Sequence, residues 1–336
     1  MVNATDNRRI RQLVLLVGLS VWALAAAQDV SRLYPPDVLQ QAGKVYASNI
    51  QGMWEEDFIA RLEPEERQRA GSISLLLPLV GVSGNPLEYY TDPATKSVVL
   101  PIASVKFLDD LSIALAYYQR QGCDMSAVSD YAALLKSRPT EINDPPLVAL
   151  GVPDDALEDL YVDDVSQKLL KSTLFFLAAH EYAHVMYGHM PYSEITAAQA
   201  QSQEIEADTF ALDVMRRIAV APLAMSQFFM VSTRFEATQQ DFQSATEYSA
   251  HLAGSTHPVS ALRLEKVAAN IEDNLAAYAN AQDDPQAYRA ALTSSVAELR
   301  LIASELTDNS MREYLAKKLQ DIDPARLATS CRAGAS

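Results

Sequence analysis

The run Phe175-Phe176-Leu177-Ala178-Ala179-His180-Glu181-Tyr182-Ala183-His184 constrains this chain more than any other segment. Its apolar lead-in predicts a buried helix, and histidines four residues apart lie on one face of a helix. Two imidazoles so placed can share one metal ion, and zinc is the ion that an H-E-x-x-H helix serves. Glu181 sits beside the first imidazole, within reach of a water activated there, and can take its proton. The bland alternative is a pair of satisfied histidines on a buried helix. With five histidines in 336 residues, chance seldom generates the pattern.

A catalytic zinc needs a third protein ligand and an open position. Gln203-Glu204-Ile205-Glu206-Ala207-Asp208 offers one on the next predicted helix. Glu204 and Asp208 are four apart and share a face, whereas Glu206 lies towards the opposite side; the geometry favours Glu204 as ligand over Glu206, with Asp208 as outer support for an imidazole. Ala207, Phe210, Ala211 and Val214 make this helix partly buried, so carboxylates on it need partners.

The rest of the chain predicts a mainly α protein with a small β-sheet (α+β). Residues 28–69 read as an N-terminal helical arm. Ser72–Val80 reads as a buried strand, and Tyr89–Thr91 with Ser97–Leu100 as a hairpin around Asp92-Pro93-Ala94-Thr95-Lys96. Helices are expected over roughly 102–121, 164–190, 194–219, 222–246, 258–279 and 285–320, with an insertion-like stretch around 123–160. His189, nine residues past His180 on a continuing helix, is expected to be structural and to lie away from the His180/His184 face.

The N-terminus carries Arg8, Arg9 and Arg11, an apolar stretch from Leu13 to Leu24, and Ala25-Ala26-Ala27 before Gln28. That pattern reads as a signal peptide over residues 1–27, too short for the ~20 residues of a membrane span. Export to the periplasm or beyond, with no stable membrane insertion after cleavage, is the resulting expectation. Cys123 and Cys331 then either pair as a disulfide or remain free thiols. The net charge is −16, and no basic cluster lies beyond the first dozen residues, which excludes nucleic acid as a partner class.

Taken together, these elements resemble the gluzincin metallopeptidases of the CaaX prenyl protease, HtpX, Oma and BepA type (peptidase family M-48). His180-Glu181-x-x-His184 is followed by His189, Glu204-x-Glu206-Ala207-Asp208 resembles the E-x-x-A-D element, and Thr256-His257-Pro258 with Arg263 resembles T-H-P-x-x-x-x-R. The likeness covers roughly residues 70–270, implying a zincin-like metallopeptidase domain there and a C-terminal helical cap over 271–336. It implies Glu204 as third zinc ligand, in agreement with the helix argument, and Asp208 as outer support. It also implies that His257 can approach the zinc and hold the enzyme latent; the alternative is that Thr256-His257-Pro258 only caps the following helix. Arg263 pairs either with an acidic site residue or in a surface salt bridge.

The resulting expectation is a zinc metalloendopeptidase holding one zinc ion per chain. Its ligands are His180, His184 and Glu204, its general base is Glu181, and His257 and Arg263 complete the site. Unfolded or misassembled envelope polypeptides are its expected substrates, in protein quality control. A zinc-bearing chaperone-like or binding protein with latent or absent proteolysis is the competing expectation.

Overall fold

The computed structural model describes residues 30–236, 241–255, 260–329 and 331. The expected signal peptide lies outside these residues. The fold is mainly helical with one small sheet. No helix among the described residues is long and apolar enough to cross a membrane.

The sheet has the order β1-β3-β2, from Ser74–Leu76 (β1), Tyr90–Asp92 (β2) and Ser97–Val99 (β3). β2 and β3 form the expected hairpin, antiparallel with Tyr90 opposite Val99, while β1 runs parallel to β3 with Ser74 opposite Ser97. β1 is shorter than its apolar run suggests because Pro78 has no N–H for a ladder. Beyond β1 the carbonyls of Pro78 and Leu79 accept from the amides of Ile102 and Ala103. Those amides open a helix and have no partner within it, so the run after β1 serves as a cap.

The helices are α1 (Pro36–Gly52), α2 (Pro64–Ala70), α3 (Ile102–Gln121), α4 (Ser126–Ser137), α5 (Pro146–Ala149), α6 (Leu160–Tyr187), α7 (Ala197–Arg217), α8 (Met225–Phe235), α9 (Ala245–Gly254), α10 (Ser260–Asp273), α11 (Leu275–Ala279), α12 (Pro285–Thr307) and α13 (Asn309–Asp321). Three expected helices prove to be interrupted. The 222–246 stretch becomes α8 and the start of α9, where the Ser244 side chain accepts from the Glu247 amide. The 258–279 stretch becomes α10 and α11, separated at Asn274. The 285–320 stretch breaks at Asp308, whose carboxylate accepts from the amides of Ser310 and Met311 and so starts α13. The insertion-like stretch of 123–160 holds α4 and α5. Ala127, Val128, Tyr131, Leu134 and Leu135 recur at helical spacing on α4 and are buried. Cys123 and Cys331 are joined by a disulfide across this part of the fold.

α6 positions the site. Asp159 caps its start by accepting from the Tyr161 amide, and Gly188, at φ +68°, ends it in the left-handed region that glycine adopts without strain. From Phe175 to Ala183 its apolar residues join one core with Ala207, Phe210 and Val214 of α7, Leu264 and Val267 of α10, and Leu292 and Val296 of α12. Residues after α1 close this core from the N-terminal side. The Phe58 ring is fully buried, 5.1 Å from the Tyr182 ring and 5.7 Å from that of Phe175, both edge-on. Those two rings flank His180, so Phe58 clamps the site helix by a contact 117 to 124 residues distant in sequence.

Phe58→Ala is expected to lower unfolding free energy by about 3–5 kcal/mol, the cost of removing a fully buried aromatic side chain. Urea denaturation measures it, and a loss below about 1 kcal/mol would show that the clamp is dispensable.

Candidate metal centre

His180 and His184 stand one turn apart on α6 with their Nε2 atoms 3.2 Å apart. α7 crosses α6 and brings Glu204 to them: Oε2 lies 3.4 Å from His180 Nε2, and Oε1 lies 3.2 Å from His184 Nε2. These three residues form a group that can hold a metal ion, their donor atoms all within 4.8 Å of one another. Two nitrogens and a carboxylate oxygen are a zinc donor set, and tetrahedral bonds of about 2.0–2.1 Å would separate ligands by about 3.3 Å. The spacing of the two nitrogens fits that edge length, and each nitrogen has one oxygen of the Glu204 carboxylate at a similar distance. Glu204 is 1% exposed and Asp208 3%, so neither charge is left to water.

Each ligand is held by an outer partner. His180 Nδ1 faces Asp208 Oδ1 at 2.9 Å, and Arg263 from α10 grips the same carboxylate through Nε at 2.8 Å and Nη2 at 2.6 Å. This decides between the two expectations for Arg263: it forms a buried, bidentate pair with a site residue, its guanidinium stacked 4.7 Å from the Phe229 ring centre. Glu204 accepts a hydrogen bond from the Tyr192 hydroxyl. Glu181 is steadied by the sheet, since Thr91 Oγ1 on β2 lies 2.8 Å from both Glu181 Oε2 and the Glu181 carbonyl.

His189 departs from expectation. α6 stops at Tyr187 and the chain turns at Gly188, so His189 folds back on the site instead of rotating away along a continuing helix. Its Nδ1 lies 2.9 Å from His184 Nδ1, and its Nε2 lies 3.1 Å from Glu206 Oε2. If His184 keeps Nε2 for a metal, its Nδ1–H donates to His189, and His189 Nε2–H donates to Glu206; the network thus assigns both tautomers. Glu206 is therefore an outer partner on the far side of α7, consistent with Glu204 as the inward carboxylate. A glycine eight residues after His180 was the available signal for His189. Thr91 and Tyr192 left no comparable signal, because their contacts are set by packing between distant elements. His257 lies outside the described residues.

Burial pulls the His180 imidazole towards neutrality, but the carboxylates of Asp208 and Glu204 outweigh it and raise its pKa to about 10. Burial likewise raises Asp208, and the Arg263 guanidinium together with His180 overcomes this and holds it well below the usual carboxylate range. His189 is shifted down, chiefly by burial. His180, Glu204, Glu181 and Arg263 line one cleft of about 300 Å³, whose other walls include Tyr89 and Phe228.

The family model that matches this chain is Peptidase U49, over residues 124–281. The match supports a proteolytic enzyme. It corrects the resemblance to family M-48, because Peptidase U49 is a distinct peptidase family. The physical reason is that a metal site spanning two helices calls for the same four-residue spacing in any lineage, so short elements of this kind do not separate families. No curated protein and no solved structure matches the chain.

At neutral pH metal must displace the proton that the carboxylates hold on His180. Affinity for a divalent metal ion, with zinc as the probe, is therefore expected to strengthen as pH rises, by about tenfold per unit while that proton is being released. Competition with a chromophoric chelator between pH 6 and 8 measures the slope, and a flat profile would contradict it. Asp208→Asn is expected to weaken zinc binding by about 10–100-fold.

Proposed function

We propose that the protein is an exported zinc-dependent endopeptidase, built as a zincin-like domain with a C-terminal helical cap, that cleaves unfolded or misassembled polypeptides. The observation that carries this reading is the donor group of His180, His184 and Glu204, with His180, Glu204 and Glu181 lining one cleft and Glu181 tied to the edge strand β2 through Thr91. A zinc ion bound by His180, His184 and Glu204 would acidify water and polarise a peptide carbonyl. The remaining work falls to the chain. Thr91 occupies Glu181 Oε2, which leaves Oε1 to take a proton from the attacking water and return it to the departing amine. Asp208, locked by Arg263, fixes the orientation of His180, and His189 with Glu206 does the same for His184.

Substrate form follows from the sheet. β3 is central, so β2 is an edge strand, and Thr91 ties that edge to Glu181. An extended peptide adding to β2 would pass beside the general base with its backbone hydrogen-bonded to the strand. A folded protein rarely offers such a segment; an unfolded one does. Export is supported by the Arg8–Ala27 segment and by the Cys123–Cys331 disulfide, since such bonds persist in oxidising compartments.

Glu181→Gln is expected to keep stoichiometric zinc while cleavage of a denatured casein falls by about 10²–10⁴-fold. Elemental analysis and fluorescent peptide release measure the two. Undiminished cleavage with zinc retained would remove Glu181 from its role, and absence of zinc-dependent cleavage by the wild type would remove the endopeptidase reading.

A further inference from the structure

The cleft beside the metal centre extends along α8. Phe228, Ser232 and Phe235 line it from one side of that helix, and Glu236 lines it just where the helix ends. Leu87 and Tyr89 add to the apolar wall, the Tyr89 ring 6.3 Å from that of Phe228. α10 sets the distance from Glu236 to the metal-binding end. Its residue Ser260 meets Glu236, and Arg263, about 4.5 Å further along the helix axis, meets Asp208 beside His180.

Glu236 is half satisfied. Its Oε1 accepts from the Ser260 amide at 2.8 Å and also from the Ser260 hydroxyl. Its Oε2 accepts no hydrogen bond among the described residues, yet it is not one of the atoms sealed in the interior. No ion pair reaches this carboxylate among the described residues. Lys136 of α4 donates to the Glu236 carbonyl instead, and it does not line the cleft. Arg263, the guanidinium that does line it, is committed through two nitrogens to Asp208. One carboxylate oxygen is therefore left to be met from the cleft, at the end of an aromatic wall.

We infer that this part of the cleft receives a lysine or arginine side chain of the substrate, beside the scissile bond. Its cationic head meets Glu236 Oε2, and its hydrocarbon stem lies against Phe228 and Phe235. As a statement about substrate, this rests on the endopeptidase reading of the metal centre. A neutral side chain of the same length covers the wall but takes water from Oε2 without replacing it, and an acidic one brings like charge. Glu236 is thus a specificity residue, separate from the proton transfer assigned to Glu181.

The probes are the hydroxamates of Nα-acetyl-lysine, Nα-acetyl-norleucine and Nα-acetyl-glutamate, titrated calorimetrically into the zinc-loaded protein at pH 7. All three share the metal-binding group, so their differences report the side chain. The lysine probe is expected to bind at least tenfold tighter than the other two. Glu236→Gln, which keeps an acceptor for Ser260, is expected to weaken the lysine probe at least tenfold, to the level of norleucine. Should that variant fail to fold, Ser232→Lys, which supplies an ammonium one turn before Glu236, is expected to erase the preference. Equal binding of the three probes, no binding of any, or a lysine preference that survives in the folded variant would overturn the inference. Cleavage of denatured casein by the wild type is read in parallel. Cleavage without the lysine preference would overturn this inference alone, whereas the preference without cleavage would leave the subsite standing and remove the endopeptidase reading.

Discussion

The contact between Asp208 and Arg263 governs the site. Three carboxylates, those of Glu181, Glu204 and Asp208, gather around two imidazoles, and one guanidinium, that of Arg263, stands against them. Buried like charges repel, and one guanidinium does not neutralise the group. Arg263 takes Asp208 out of the competition by a two-point hydrogen-bonded pair, which leaves Asp208 fixed to orient His180. When a metal ion displaces the His180 proton, the carboxylates of Glu204 and Glu181 remain to match a divalent charge. The packing of α10 on α7 and α8 is therefore part of the site chemistry. It is what brings the guanidinium to the carboxylate.

The sequence made the local part of this arrangement legible. A four-residue period places His180 over His184 and Glu204 beside Asp208 whatever the rest of the fold does, and those two pairs define the donor group. The boundaries of α3 were readable for a similar reason: Pro101 precedes its apolar run and Gly122 follows it. What escaped depends on where the chain turns and on what meets across space. His189 needed the end of α6 at Tyr187 to be recognised, and treating the helix as continuous moved it to the wrong side. Thr91 reaches Glu181 across 90 residues, and Phe58 reaches Tyr182 across 124, so neither leaves a local period to detect. The helix of 126–137 was passed over inside the insertion-like stretch, although Ala127, Val128, Tyr131, Leu134 and Leu135 recur there at helical spacing.

Family resemblance failed for a related reason. H-E-x-x-H, E-x-x-A-D and a distant His-Pro with Arg are statements about one metal site, so they travel with the chemistry and not with ancestry. The match to Peptidase U49 over residues 124–281 contains both helices of the donor group and also α4, which lies outside those motifs. A motif drawn from one metal site therefore tells what chemistry is available there, and agreement outside the site is what separates one family from another.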